Sequence, residues 1–400
     1  LKLHKSIVES IIEGLREIFE LGLFADQVVK NKLKSDKRWG ARDRKFIAES
    51  IYDLVRYYRW YMTIGEIEQT NEHRFQKIAA IYFLEKKLDF PEWFQPILPT
   101  EEKMEENRAV FGKEVKYVAS IPDWLDEIGK EELGEIWSAE MNALNQQAKV
   151  VLRVNTLKTN KTLLIKILEK ENVEVEELEG FPDALMLKKR RDLSQLKAYA
   201  DGLFEIQDAS SQLVAPFAQA SSGMLAVDAC AGAGGKTLHL AAQMENNGKI
   251  ISLDLEEHKL KELRKRSKRA NCKISRAHLI FADTIDQFKD QADLLLIDAP
   301  CSGLGVLRRK PDSKWKLTPE RLNELKQIQQ KLLEDYPPML KSGGTLVYVT
   351  CSILPSENEK QVEQFLAKNT GKYTLEEERK IMPSEGFDGF YMARLRKLQV

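Results

Sequence analysis

Two of the four cysteines stand where a thiol could do chemistry. Cys301 lies in Asp298-Ala-Pro-Cys-Ser-Gly303 and Cys351 in Thr350-Cys-Ser352, each just past an apolar run that reads as a strand. In an open α/β sheet ligands bind outside the carboxyl ends of the strands, so both thiols are expected in one crevice, about 5 Å apart if the strands are neighbours. Cys230 and Cys272 read as small buried hydrophobes. The cysteines are widely spaced with no CxxC pair, and the five histidines fall outside ligand spacing. Neither a disulfide scaffold nor a metal site is expected.

A third feature is the glycine-rich turn Asp228-Ala-Cys-Ala-Gly-Ala-Gly-Gly-Lys-Thr237, which ends a strand and opens a helix. Glycines let the backbone approach a ligand, and the helix amino terminus offers unpaired N–H groups. A triphosphate-binding loop needs glycine at position 230, which is cysteine, and a dinucleotide loop starting at Gly232 needs glycine at 237, which is threonine. The first reading fails and the nicotinamide reading is weakened. S-Adenosylmethionine is the third candidate, a ligand without phosphate that needs close backbone approach and a carboxylate for its ribose. Asp254 ends the next strand, at the position of a ribose-binding acid, and Asp283, past the third strand, could face adenine.

A thiolate beside a methyl donor suits one reaction especially well. Carbon 5 of cytosine is a poor nucleophile, but thiolate attack on carbon 6 makes an enamine-like adduct whose carbon 5 takes the methyl group. The thiolate must be populated near neutral pH, and Asp298 could hold the base by its ring nitrogen or amine.

The elements that position these groups fall into three parts: a helical domain at 1–148, a small α+β module at 149–205 and an α/β domain at 206–400. Ile7, Ile11, Leu15 and Ile18, then Ile47, Ile51, Leu54 and Val55, recur at helical spacing. Between them Lys30–Lys45 holds eight bases and two acids, which reads either as a solvated connection or as an RNA-backbone contact. Residues 86–122 read as a proline-bearing linker with short helices and Trp124–Gln147 as helix. The small module reads as strands at Val150–Val154, Val173–Leu178 and Ala184–Leu187 with a helix at Thr162–Lys170. Alternating strand and helix patterns then predict a parallel sheet from Leu225–Asp228, Ile250–Asp254, Ala277–Phe281, Asp293–Asp298 and Thr345–Thr350, with a late strand at Gly389–Leu395.

Composition excludes some classes. The 62 Lys+Arg balance 62 Asp+Glu, so nucleic-acid contact must come from charge gathered on one face. With 43% hydrophobic and 31% charged residues the chain is globular, and no apolar run reaches the ~18–20 residues of a membrane span. Glu9, Glu13, Glu17 and Glu20 interrupt the apolar residues near the start, so no secretory signal is expected and the cytoplasm is the expected location.

Together the glycine turn, Asp298–Gly303, Arg308-Arg-Lys-Pro-Asp-Ser-Lys-Trp315 and Thr350–Ser352 resemble the Sun-type RNA (cytosine-5)-methyltransferases, most of all the bacterial group acting on small-subunit ribosomal RNA. Arg153-Val-Asn-Thr-Leu-Lys158 is similar to the segment ahead of that family's catalytic domain, so the similarity covers roughly residues 120–400. The resemblance implies an α/β, Rossmann-like S-adenosylmethionine-dependent methyltransferase domain, an α+β RNA-recognition-like module and an all-α amino-terminal domain. It implies Cys351 as nucleophile and Cys301 assisting release of methylated RNA. Donor contacts are implied for Cys230, Ala231, Gly232, Ala233, Gly234, Gly235, Lys236, Asp254, Asp283 and Asp298. The expected substrate is 16S ribosomal RNA bound by a monomer, with no membrane and no metal. Transfer RNA as substrate and a catalytically inactive RNA-binding assembly factor are the alternatives. The usual family loop reads Ala-Pro-Gly-Gly-Lys; Gly232 and Ala233 replace its first two residues and predict a looser turn. Leu307–Lys316 carries five bases and one acid, so Arg308, Arg309, Lys310 and Lys314 are expected to contact RNA phosphates, with Trp315 packing the loop.

Overall fold

The computed structural model describes residues 3–399, which form two compact units. The first holds the chain up to Gln146 together with Leu307–Pro319, and the second holds Gln147–Val306 and Glu320–Val400. The segment expected to be a loop of the α/β domain is therefore part of the helical unit. Among the described residues no helix is long and apolar enough to cross a membrane.

The helical unit begins with Lys5–Phe19, Ala25–Ser35 and Ala41–Arg56. Ile7, Ile11, Leu15 and Ile18 are buried against Ile47, Ile51, Leu54 and Val55, as their spacing requires. The basic run 30–45 is mostly helix rather than a connection. Lys32 turns inward, its ammonium 3.0 Å from Glu13 and 2.8 Å from Glu17. The expected linker contains the helix Glu101–Phe111, started by the Thr100 hydroxyl accepting from the Lys103 N–H, and its Met104 and Asn107 are buried. Asp123–Leu133 and Trp137–Leu144 complete the unit, joined where Gly134 breaks the helical pattern predicted as continuous.

The second unit holds two sheets. Strands β1 (Val151–Val154), β2 (Val175–Glu177), β3 (Ala184–Leu187) and β4 (Phe204–Ile206) pair antiparallel in the order β2-β3-β1-β4, covered by the helix Lys161–Lys170. Leu152, Val154, Leu164, Leu168, Leu185 and Phe204 make its core. β4 has three residues, too few to show an alternation in sequence.

The larger sheet comprises β5 (Leu225–Asp228), β6 (Lys249–Asp254), β7 (Ser275–Leu279), β8 (Ala292–Asp298), β9 (Leu340–Thr350), β10 (Tyr373–Ile381) and β11 (Phe390–Lys397), in the order β10-β11-β9-β8-β5-β6-β7. The five strands from β9 to β7 run parallel, and β11 lies antiparallel to β9 and β10. Central strands are apolar on both faces: Leu294 and Leu296 of β8 join one core while Leu295 and Ile297 join the other. β10 was not expected because its Glu- and Lys-rich residues are exposed; it is an edge strand, where charge discourages further pairing.

Candidate active site

The strand order reverses between β5 and β8, so the crevice lies at their carboxyl ends, where Asp228 and Asp298 stand, with Asp254 ending β6 and Cys351 following β9. From β5 the chain turns through Gly232, at φ +53°, and Gly234, at φ +86°, into the helix Gly235–Gln243. The two glycines serve different ends. A Cβ at Gly234 would lie 2.7 Å from Leu263 Cγ, so it permits helix packing, whereas one at Gly232 would meet open space, leaving that side to a ligand. The turn is tied rather than loose. Ala231 N–H donates to the Leu253 carbonyl, Gly232 N–H to Asp254 Oδ2 at 2.9 Å, Gly234 N–H to the Ala231 carbonyl, and Arg266 holds the Ala233 carbonyl at 2.9 Å. These bonds replace the restraint that the family's proline would supply.

Asp254 also accepts the Glu256 N–H at 2.9 Å, and each of its oxygens keeps a lone pair for ribose hydroxyls. Asp283 is exposed past β7, accepting from the Gln287 amide at 2.8 Å. Asp228, quoted in the sequence motif but not singled out there, is fully buried. Its Oδ2 accepts the Thr237 hydroxyl at 2.6 Å, while Oδ1 has no partner among the described residues. Burial pushes its carboxyl up to about 7, against the Thr237 bond and with Asp298 and Asp254 adding. The open face of Gly232 and the remaining lone pairs of Asp254 leave a cradle that fits a donor such as S-adenosylmethionine. Lys236 reaches across the crevice to Asp298 Oδ2 at 2.6 Å. Burial disfavours the lysine charge, but Asp298 outweighs it and the ammonium is held above its usual range.

The two thiols meet: Cys301 Sγ lies 3.3 Å from Cys351 Sγ. The loops bearing them are joined where Gly305 N–H donates to the Cys351 carbonyl at 2.9 Å and Gly389 N–H to the Gly305 carbonyl at 2.8 Å. A hydrogen bond with Cys351, then burial and the charges of Cys351 and Glu357, hold the Cys301 thiol well above the ordinary range. Burial, with the nearby carboxylates Asp298, Asp228 and Asp254, also raises Cys230, a poor setting for a thiolate. Cys272 is half-buried and packs against the core that holds Ala226 and Ile250. Sequence reading missed Glu357, which is buried and bonded to Ser302 and Ser352. It also gave Arg153 no role; that guanidinium is buried and donates to Gln207 and to the Gly235 carbonyl at 2.7 Å, bracing the glycine turn from β1.

The expected phosphate contacts need correction. Lys314 is 1% exposed, and its ammonium donates to the Arg56 carbonyl at 2.7 Å and the Ala119 carbonyl at 3.0 Å. Arg308 is buried and donates to the Ala143 carbonyl at 2.7 Å. Both cations serve carbonyls at helix ends, where the backbone dipole favours positive charge. Arg309 is half-buried and Lys310 exposed. Trp315 packs against Phe19 and Tyr58 and donates to the Val55 carbonyl at 2.7 Å.

The sheet order, the tied glycine turn and the carboxylate ending β6 define a Rossmann-like S-adenosylmethionine-dependent methyltransferase. Solved structures agree. The methyltransferase homolog protein from Pyrococcus horikoshii superposes with a TM-score of 0.63 at 26% identity, covering 71% of this chain and 98% of that one. PH0851 gives 0.79 at 25% identity over 99% and 100%. The 16S rRNA methyltransferase RsmB/F model matches residues 218–396, and the RsmF/B-like ferredoxin-like domain model matches residues 121–194, beginning within helices that pack in the first unit. The ribosomal RNA small subunit methyltransferase B of Vibrio vulnificus is 35% identical over 292 residues, 70% of this chain and 67% of its own length. The chain spans about two thirds of the length of such curated relatives. It belongs to the RsmB/F methyltransferase family, and S-adenosylmethionine is its cofactor.

Proposed function

We propose that the chain methylates carbon 5 of a cytosine in small-subunit ribosomal RNA through a covalent adduct on Cys351. The observation that carries this reading is the pair of thiols, 3.3 Å apart, at the carboxyl ends of two adjacent parallel strands beside the donor crevice. The relatives named as ribosomal RNA small subunit methyltransferase B support the choice of RNA.

Bound S-adenosylmethionine supplies an electrophilic methyl group. Gly232 and Asp254 would hold it, and Asp283 would border its adenine. The Cys351 thiolate bonds carbon 6 of the ring and the displaced electron pair moves to carbon 5, which would take the methyl group as that group's bond to the donor sulfur breaks, leaving the demethylated thioether. Loss of the carbon-5 proton to water and breaking of the bond between carbon 6 and the Cys351 sulfur restore the ring and the thiolate. Cys301, the thiol held protonated beside it, acts in this second half. The Lys236 ammonium pairs with Asp298 in the crevice, and Asp298, so fixed, accepts from the cytosine amine. Of the basic segment, the exposed Lys310 remains for a phosphate contact. An unpaired or flipped target is required, because the thiol must reach the face of the ring.

Tritium release from carbon 5 of labelled cytosine in unmodified ribosomal RNA, with and without S-adenosylmethionine, tests the reading. Donor-dependent release is expected. Release from transfer RNA alone would move the substrate, and release from neither would point to an inactive RNA-binding factor.

A further inference from the structure

The loops that carry the two thiols share a pattern, Cys301-Ser-Gly-Leu304 and Cys351-Ser-Ile-Leu354, and a bonding scheme. In each, the serine hydroxyl accepts the N–H of the leucine two residues on, at 3.3 Å for Ser302 and 3.1 Å for Ser352. Each hydroxyl then donates to the same atom, Glu357 Oε2, at 2.5 Å. Oε1 accepts the Ser302 N–H at 2.8 Å and the Gln329 amide at 3.0 Å, and that amide also donates to the Pro300 carbonyl. The backbone of Glu357 is held as well, since the Tyr348 hydroxyl donates to its carbonyl at 2.8 Å. Four donors converge on two oxygens of a side chain with no exposed surface. Burying a carboxyl group is costly unless it is hydrogen-bonded, and here the bonds come from residues adjoining both thiols.

We propose that Glu357 is a positioning residue which clamps the two cysteine loops in register and confines the nucleophilic role to Cys351. The inference rests on the reading of Cys351 as nucleophile. The clamp sets the separation of the two sulfurs through Ser302 and Ser352. Its negative charge faces Cys301, together with Cys351 and the Tyr348 phenol, and opposes a second anion there. The Lys236 ammonium, paired with Asp298 at 2.6 Å, lies in the same crevice.

Alkylation by iodoacetamide at neutral pH, with the modified cysteine located by peptide mass spectrometry, reads the difference between the two thiols on the full chain without RNA. The unsubstituted protein is expected to react at Cys351 well ahead of Cys301. In Glu357→Gln the ratio of Cys301 to Cys351 labelling is expected to rise at least about tenfold and kcat to fall by a similar factor, with donor affinity and the KM for RNA within about twofold. Unchanged selectivity with unchanged kcat would overturn the assignment. If Glu357→Gln does not bind S-adenosylmethionine in a calorimeter, Ser302→Ala and Ser352→Ala decide, since each removes one donor and leaves the carboxylate. Each is expected to lower kcat with donor affinity intact, and the double variant to lose less than the product of the two. Strict multiplicativity, or full kcat in both, would overturn it. A shifted labelling ratio in a protein that methylates no cytosine would sink the proposed reaction and leave the clamp standing.

Discussion

Cys301 and Cys351 are chemically alike and 3.3 Å apart, so the roles proposed for them must be separated by surroundings: a hydrogen bond with Cys351 and burial, with the charges of Cys351 and Glu357 adding, hold the Cys301 thiol well above its ordinary range. Cys351→Ala is expected to lower turnover at least about a thousandfold, whereas Cys301→Ala should form the bond to carbon 6 and release RNA slowly. A gel that retains labelled RNA on Cys301→Ala and none on Cys351→Ala checks this; the opposite pattern would exchange the roles. Asp228 gives a second test. Its folded pKa is about 7 against an ordinary 3.8, so its contribution to stability is fully present below 3.8 and is lost as the pH rises through 7. Asp228→Asn should therefore melt higher than the parent at pH 8, each kcal/mol being worth about 2–4 °C in a unit this size. Equal melting temperatures at pH 8 would argue against the buried carboxylate.

At the scale of elements, Leu307–Lys316 shows how a charge count misleads. Its basic excess suggested phosphates, yet Asp312 accepts the Ala25 N–H at 3.0 Å at the start of one helix, and Lys314 donates to the carbonyl of Arg56 at the end of another. Lys316 donates to the Leu23 carbonyl. Opposite charges sit at opposite helix ends, as the dipole requires. Asp312→Ala should cost about 1 kcal/mol and Lys314→Ala about 2–3 kcal/mol, the latter leaving two carbonyls without a donor. Thermal melts measure both. Had Lys314 held a phosphate, its loss would instead flatten the salt dependence of RNA binding by about one unit of slope and leave melting unchanged. Most of the strands reached by pattern are apolar and lie inside a sheet, although β2 and β7 are edges. β4 and β10 escaped because one is short and the other is polar at a sheet edge.

At the scale of the second unit, His239 of the glycine-turn helix is buried beside Asp183 of the small module. It is 2% exposed, with Nε2 3.4 Å from Asp183, and burial, with Arg153 adding, pushes it down to about 4. The unfolded chain takes up this proton near 6.5 and the folded one only near 4, so the contribution is complete above 6.5 and is lost as the pH falls toward 4. Denaturant melts between pH 4 and 7 should show this slope, and His239→Gln should flatten it; an unchanged slope would place the proton elsewhere.

Composition and local pattern by themselves determined the helical, mixed and α/β parts of the chain, the five parallel strands and the glycine turn, because each rests on spacing within a few residues. They also placed Cys301 and Cys351 at strand ends, since apolar runs and their termini are local. Tertiary structure alone decided which of the bases would be buried, that Leu307–Pro319 packs with the helices, and that one carboxylate, six residues after Cys351, binds the serines of both thiol loops. Those outcomes depend on groups up to about 300 residues apart meeting in space, as Lys316 meets Leu23. Charge and hydrogen-bonding capacity are visible in a sequence; the partner that uses them is chosen when the chain closes on itself.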